Sequence, residues 1–321
     1  MNATASNETD LSLTLASKTE AADNVVVLRL RDPSGRDLPT WTPGAHIDLV
    51  LESTIVRQYS LCGDPQDNSE WQIAVLREPL SRGGSQLIHD KLDEGDRVTV
   101  RGPRNHFELH PSPKYLFIAG GIGITPILTM VDAADKQGAE WKLVYGGRNH
   151  GSMAFAQHLA DRFGEKVVLH PQDVAGMIDL PGLLAVPRSD TLVYCCGPAP
   201  LLDAVTDQCS RWKTGSLHIE RFVAKEMDEP VISGDFEVEL ARTGKTITVT
   251  PEQTVLQAVT EAGVQVLSSC EAGTCGTCET PVIAGDVDHR DSLLTPEEQG
   301  ANDTMMICVS RAACPKLVLD L

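Results

Sequence analysis

Short runs in which apolar and polar residues alternate dominate the first third of the chain. NVVVLRLRD (24–32), HIDLVL (46–51), VRQYSL (56–61), WQIAVLRE (71–78) and DRVTVRG (96–102) are separated by DPSG, PG, GDP and EGD, the turn chemistry expected between antiparallel strands. A single helix candidate, SQLIHDKL (85–92), interrupts them. Residues 1–110 therefore predict a small antiparallel β-barrel.

The pattern changes over residues 111–226. Continuous apolar strands, KYLFIAGG (114–121), WKLVYGG (141–147), KVVLH (166–170) and TLVYCCG (191–197), alternate with amphipathic helices at 126–138, 153–163 and 200–212. That alternation predicts an α/β unit whose parallel sheet is covered on both faces. Residues 227–234 are polar, contain Pro and Gly, and read as a linker. Over 235–321 the pattern becomes α+β: two alternating strands around Thr243-Gly244, a helix (254–263), a cysteine-rich loop and a final strand, KLVLDL.

Composition narrows the function. Apolar residues make up 41% of the 321 positions and charged residues 22%, enough to build packed cores. Lys and Arg total 27 against 45 Asp and Glu, a net charge of −18, which argues against nucleic acid or an anionic membrane as the main partner. No apolar run reaches the roughly 18 residues of a spanning helix. MNATASNETD has neither the basic start nor the apolar stretch of a signal peptide, and nine cysteines without a leader point to a reducing, cytoplasmic setting and to metal or redox chemistry.

Four of those cysteines carry the sharpest signal. Cys270, Cys275 and Cys278 lie in CEAGTCGTC, and Cys308 follows after 29 intervening residues. C-x4-C-x2-C with a distant fourth thiol is the plant-type 2Fe–2S spacing. Gly273 and Gly276 supply the positive φ that so tight a loop needs. A structural zinc site is the alternative, although its usual paired C-x2-C knuckles are missing. Cys62, Cys195, Cys196, Cys209 and Cys314 read as buried small apolar residues.

Two glycine turns mark a second site. IAGGIGITP (118–126) joins a buried strand to a helix: Gly120, Gly121 and Gly123 let a dinucleotide approach the backbone, Thr125 is placed to cap the helix and Pro126 to open it. YCCGPAPLL, with Cys196, Gly197 and Pro198, repeats the strand–turn–helix arrangement. Two such turns at the carboxyl ends of parallel strands build the crevice where this architecture binds ligands. In the barrel, VRQYSLC puts Arg57, Tyr59 and Leu61 on one side of a strand and Gln58, Ser60 and Cys62 on the other. SRGGSQL (81–87) enters a helix and offers backbone N–H groups and the Ser85 hydroxyl to a phosphate.

RQYSL, SRGGS, AGGIGITP, YCCGP, CEAGTCGTC, DHRD and the terminal LVLDL occur in this order. Together they resemble the phthalate dioxygenase reductase family of the ferredoxin–NADP reductase superfamily, over nearly the whole chain. The resemblance extends to the vanillate demethylase and carnitine monooxygenase reductases. It implies an FMN-binding barrel, an NADH-binding α/β domain and a β-grasp, plant-type ferredoxin domain. It places Arg57 at the flavin phosphate, Tyr59 on the ring and Ser60 near N5, with Gln58 on the same strand. Ala74, Val75 and Leu76 line the ring, and Arg82, Gly83, Gly84 and Ser85 cradle the phosphate. Thr125 lies near flavin or nicotinamide, Cys196 beside the nicotinamide with Glu220 as a hydrogen-bonding partner, and Phe222 covers the isoalloxazine. Arg148 is a candidate contact to the adenosine. No basic cluster follows it to meet a 2′-phosphate, which favours NADH over NADPH.

Nicotinamide gives up electrons as a hydride, two at a time, while a 2Fe–2S cluster takes one, and a flavin mediates between them. No Ser-His-Asp or H-E-x-x-H pattern competes with that chemistry. The chain is therefore expected to be the NADH-dependent reductase component of a terminal oxygenase, first a Rieske non-haem iron enzyme of aromatic catabolism, second a haem-thiolate monooxygenase. From residue 229 onward, 15 acidic side chains face 5 basic ones, a surface suited to transient docking on a basic partner. An electron-transfer subunit of dihydroorotate dehydrogenase fits the cysteine spacing poorly. A zinc-stabilised or redox-sensing binding protein would leave the flavin and cluster motifs without use.

Overall fold

The computed structural model describes residues 10–52, 55–78, 83–225, 227 and 229–321. Arg82 lies outside them. The chain divides into two compact units, Met1–Glu220 and Arg221–Leu321.

The first unit opens with β1 (Leu11–Ala22), β2 (Val25–Arg31), β3 (His46–Glu52), β4 (Ile55–Ser60), β5 (Trp71–Leu76), the helix α1 (Gly84–Lys91) and β6 (Arg97–Arg104). The strands pair antiparallel in the order β4-β3-β6-β1-β2-β5. Just past β4, Leu61 bridges to Ile73 of β5, so the two ends of the sheet meet and the barrel closes. β1 is an addition to the strands expected from the pattern. Its apolar alternation is only Leu11, Leu13 and Leu15 before a polar stretch, too short to announce a 12-residue strand. Leu13, Leu15, Leu28, Leu30, Ile47, Leu49, Trp71 and Ile73 fill the interior, each contributing about 1.5–3 kcal/mol by burial.

The second sheet of this unit contains β7 (Lys114–Gly120), β8 (Glu140–Gly147), β9 (Val167–Pro171), β10 (Thr191–Cys196) and β11 (Leu217–Glu220). All pairs are parallel, in the order β11-β10-β7-β8-β9. The helices are α2 (Ile124–Lys136), α3 (Ala156–Phe163), α4 (Gln172–Ala175), α5 (Leu180–Leu184) and α6 (Ala199–Gln208). β7 shows why its sequence reads as unbroken apolar. Tyr115, Phe117 and Ala119 join a cluster with Ile127, Met130 and Val131 of α2, while Leu116 and Ile118 join another with Leu184 of α5 and Leu202 and Val205 of α6. Period-two alternation thus feeds two apolar layers at once. The α2-side cluster also takes in Val25, Val27, Cys62 and Ala74 from the barrel, so barrel and parallel sheet share one core.

The second unit is built from β12 (Phe236–Leu240), β13 (Lys245–Val249), α7 (Val255–Glu261), β14 (Glu279–Ala284), β15 (Val287–Asp288), α8 (Pro296–Ala301), β16 (Thr304–Met306), β17 (Arg311–Ala312) and β18 (Lys316–Leu319). The main sheet runs β13-β12-β18-β14-β16, with β18 parallel to β12. Phe236, Val238 and Leu240 point inward against Val255, Leu256 and Val259 of α7. Thr254 and Gln257 form a capping box at the start of that helix, with hydrogen bonds of 3.1 and 2.9 Å. The expected hairpin around Thr243-Gly244, the helix and the final strand are all present, with Gly244 at φ 67 in the turn. Among the described residues, no helix is long and apolar enough to cross a membrane.

Candidate active site and cluster loop

β4 carries the first set of expected contacts. Arg57 and Tyr59 stand opposite Leu49 and Ile47 of β3, whereas Gln58 and Ser60 stand opposite Asp48 and His46. Tyr59 packs against the barrel core, and burial pushes its phenol above the usual range. Ser60 Oγ and Gln58 Nε2 are buried and have no hydrogen-bond partner among the described residues. Uncommitted buried donors cost about 1–3 kcal/mol each, and a flavin ring, with nitrogen and carbonyl acceptors on its edge, fits them. On β5, Val75 faces the barrel interior, while Ala74 and Leu76 face the shared core.

A phosphate cradle lies at the start of α1. Gly83 caps the helix at φ 92, and a Cβ on Gly84 would lie 2.5 Å from Arg57 Cγ and 2.8 Å from its Nε. Arg57 therefore lies across the first turn of α1, over a residue that must have no side chain. Ser85 Oγ accepts the Glu78 N–H at 3.1 Å, which leaves the hydroxyl proton for another acceptor. Among the described residues no side chain caps this N-terminus; the opposite end is closed by Lys18, whose ammonium donates to the carbonyls of Ile88, His89 and Leu92 at 2.8–2.9 Å. Backbone N–H groups, a hydroxyl and a guanidinium converge where an anion is favoured. His89 Nε2, 3.0 Å from Val75 O, ties α1 to β5.

The two glycine turns meet at the carboxyl ends of β7 and β10, where the strand order reverses. The structure corrects the reason for two of their glycines. A Cβ on Gly123 would collide with the Cys196 carbonyl, and one on Gly120 would lie 2.7 Å from Leu201 Cδ2 and 2.8 Å from Pro198 Cδ. These positions are small so that the two turns can touch. Gly121, at φ 55 with nothing within 4 Å of its would-be Cβ, faces open space. Thr125 is corrected as well. α2 begins at Ile124 with Gly123 as its cap, so Thr125 lies inside the helix, buried, its hydroxyl donating to Ile122 O at 3.0 Å. A 3-10 turn over Gly121–Gly123 leads straight into α2, so the helix starts two residues before the proline expected to open it. We expect Gly123→Ala to lower stability by about 2 kcal/mol through overpacking and to slow reduction by NADH; thermal melting and stopped-flow absorbance would check both.

Cys196 is fully buried and pairs in register with Glu220 of β11. Its Sγ lies 4.0 Å from Glu220 Oε2. Burial pushes the Glu220 carboxyl up to about 8 and, with the neighbouring carboxylate, raises the Cys196 thiol well above its usual value. At neutral pH the pair is thus uncharged and Glu220 carries a proton it can donate. Gly197 backs directly onto Gly120, Pro198 precedes α6, Arg148 is exposed just past β8, and Phe222 is 41% exposed just past β11.

In the second unit, Cys275, Cys278 and Cys308 are buried and Cys270 half-buried. The thiols meet pairwise, Cys270 with Cys275 and Cys308, and Cys278 with Cys308. In each of these contacts one thiol donates and the other accepts, which holds Cys270 and Cys278 below the ordinary range and Cys275 and Cys308 above it. Gly273 and Gly276 have φ of 68 and 72, as expected of this loop. The Ala272 and Thr274 N–H groups both donate to Cys270 Sγ at 3.4 Å.

Comparisons with known proteins agree with this geometry. Residues 12–109 match the model of the oxidoreductase FAD-binding domain, and residues 238–313 that of the 2Fe-2S iron-sulfur cluster binding domain. The chain is 42% identical over 313 residues to the phenoxybenzoate dioxygenase subunit beta of Ectopseudomonas oleovorans, covering 97% of each chain. It is 37% identical to phthalate dioxygenase reductase of Burkholderia cepacia, again covering 97% of both. An intact type IV self-sufficient cytochrome P450 monooxygenase superposes with a TM-score of 0.92 at 44% identity, over 97% of this chain but only 41% of that longer one. The chain belongs to the phthalate dioxygenase reductase family. Its members' flavin and 2Fe–2S domains make it an oxidoreductase, and the zinc alternative falls.

Several supports in this family member escaped the sequence pattern. Asp291, in the DHRD motif, is fully buried and accepts the Leu293 and Leu294 N–H groups at 3.0 and 2.7 Å. Burial opposes its charge, yet His289 and those N–H groups hold its carboxyl below the ordinary range. A Cβ on Gly273 would come within 3.0 Å of Asp291 Cα, so this residue backs the cluster loop. Lys18 could have been found only by knowing which helix ends beside it. Cys314 differs from the expected buried residue: it is half-buried, its sulfur accepting the Asp286 N–H at 3.1 Å.

Proposed function

We infer that this chain is the reductase component of an oxygenase system, taking a hydride from NADH and passing electrons singly to a separate oxygenase. The observation that supports it is the order of sites along one chain: a flavin strand with uncommitted buried donors, a dinucleotide crevice holding an uncharged Cys–Glu pair, and a four-thiol loop. When bound, a flavin supplies the step between two-electron and one-electron chemistry. Tyr59 would support the ring, and Ser60 and Gln58 would donate to its edge. Arg57, Gly83, Gly84 and Ser85 would hold the phosphate. Glu220 would donate to the nicotinamide carboxamide, and the Cys196 thiol would fill the space beside the ring. Gly121 would face the dinucleotide, and Arg148 its adenosine. Cys270, Cys275, Cys278 and Cys308 would bind a 2Fe–2S cluster.

A single phosphate cradle at α1 supports FMN as the flavin, and the exposed Arg148, with no basic cluster after it, supports NADH. Domain limits of 1–110, 111–226 and 235–321, with a linker at 227–234, accompany this reading. Nine free cysteines are in keeping with a cytoplasmic setting. The favoured partner is a Rieske oxygenase acting on an aromatic compound, as the phenoxybenzoate and phthalate relatives' names suggest. The P450 match favours a haem-thiolate monooxygenase as the second reading.

The deciding experiment is anaerobic titration of the purified protein with NADH. Flavin and 2Fe–2S bands should both bleach, and the flavin released by heat should run as FMN; a protein lacking either band would end this reading. The excess of acid in residues 229–321 should also make transfer to the oxygenase fall about tenfold or more between low and high salt. Rates independent of ionic strength would remove electrostatic docking.

A further inference from the structure

On β3, His46 and Asp48 alternate with the core residues Ile47 and Leu49, and so project from the opposite face of the sheet. Both are nevertheless buried, His46 to 2% and Asp48 to 0% exposure. Across one flank of β3, Asp48 Oδ2 meets Arg104 Nη2 of β6 at 2.6 Å, and the Arg104 side chain is itself only 12% exposed. The β3–β6 register shifts here, with His46 opposite Arg104 and Asp48 opposite Arg101, so the ion pair ties together residues on the two sides of an irregularity. Across the other flank, His46 and Asp48 stand opposite Ser60 and Gln58. Those are the residues whose buried hydroxyl and amide have no hydrogen-bond partner among the described residues.

Burying two opposite charges seldom adds net stability, because lost hydration offsets their attraction. The neighbours of this pair suggest another role. A carboxylate one strand away is the acceptor that the Gln58 amide and Ser60 hydroxyl would otherwise take. We propose that Asp48 and Arg104 are positioning residues for the flavin. The guanidinium engages the carboxylate and pins the β3–β6 irregularity, and this keeps Gln58 and Ser60 uncommitted for the cofactor. This rests on the flavin placement of the preceding section.

The test uses the full chain with its cluster in place, freed of flavin and titrated with FMN while flavin fluorescence is followed. Arg104→Gln should raise the dissociation constant about tenfold or more, the scale of losing a charged hydrogen bond. It should also shift the bound flavin's visible band, while the cluster absorbance stays at the parent value. Arg104→Lys, which keeps the cation, should recover most of the affinity. If Arg104→Gln lowers the melting temperature but the folded protein binds FMN as the parent does, the pair is only structural and the proposal is overturned. Ser60→Ala and Gln58→Ala separate the two levels. Weakened binding in these with none in Arg104→Gln overturns this inference alone, and unchanged binding in all three overturns the flavin placement with it.

Discussion

Cys308→Ser is expected to leave reduction of the flavin by NADH near the parent rate and to cut electron delivery to the oxygenase at least a hundredfold. The two effects separate because the ligand loop and the hydride site lie in different compact units, Arg221–Leu321 and Met1–Glu220. Cys308 is buried and meets the thiols of both Cys270 and Cys278. A serine there is a harder, far less acidic ligand that cannot match a thiolate on iron. Stopped-flow absorbance would follow the flavin band, and oxygenase turnover would follow delivery. Full coupled turnover in this variant would show that electrons leave by another route, and loss of flavin reduction would show that the two units fail together.

Glu220→Gln should change the pH dependence of both binding and stability. With its carboxyl pushed up to about 8, Glu220 is neutral below that pH; above it, a carboxylate would face the dinucleotide proposed for this crevice. The parent's dissociation constant for NADH should therefore hold steady below pH 7 and rise about tenfold by pH 9, while that of the glutamine variant stays flat. Stability follows the same group. An unfolded glutamate loses its proton near pH 4.5, before the folded one does, so the parent loses stability as pH rises from about 4.5 to 8 and none from this group beyond. Glutamine lacks that loss, and by pH 8 the variant should gain about 4 kcal/mol on the parent. Isothermal titration and urea unfolding across pH 5–9 would measure these effects. Parallel pH profiles for the two proteins would mean that Glu220 ionises normally.

The four-thiol loop was the most legible feature of the chain, because C-x4-C-x2-C places three thiols in one short loop and positive φ at Gly273 and Gly276 follows from folding it that tightly. The parallel sheet was legible for a related reason: β7 must be apolar at every position to face two layers. Thr125 shows the limit of such local rules. A threonine before a proline resembles a cap, but the preceding glycines form a 3-10 turn that starts the helix two residues earlier. β1 was missed because three alternating leucines are weak evidence until β2 and β6 supply partners on either side. The glycines at 120 and 123 were marked correctly but explained only by the turn they touch.

Spacing, turn residues and period act between neighbours along the backbone, so the three architectures, the four-cysteine pattern of the 2Fe–2S domain and the strand with Arg57, Tyr59 and Ser60 could be read directly from the chain. Packing decided the rest. Closure of the barrel through Leu61 and Ile73, the contact of Gly120 with Gly197, the Cys196–Glu220 pair and the Asp48–Arg104 ion pair all join residues far apart in sequence. Burial and charge at those places depend on what the cores bring alongside, and no local pattern encodes that.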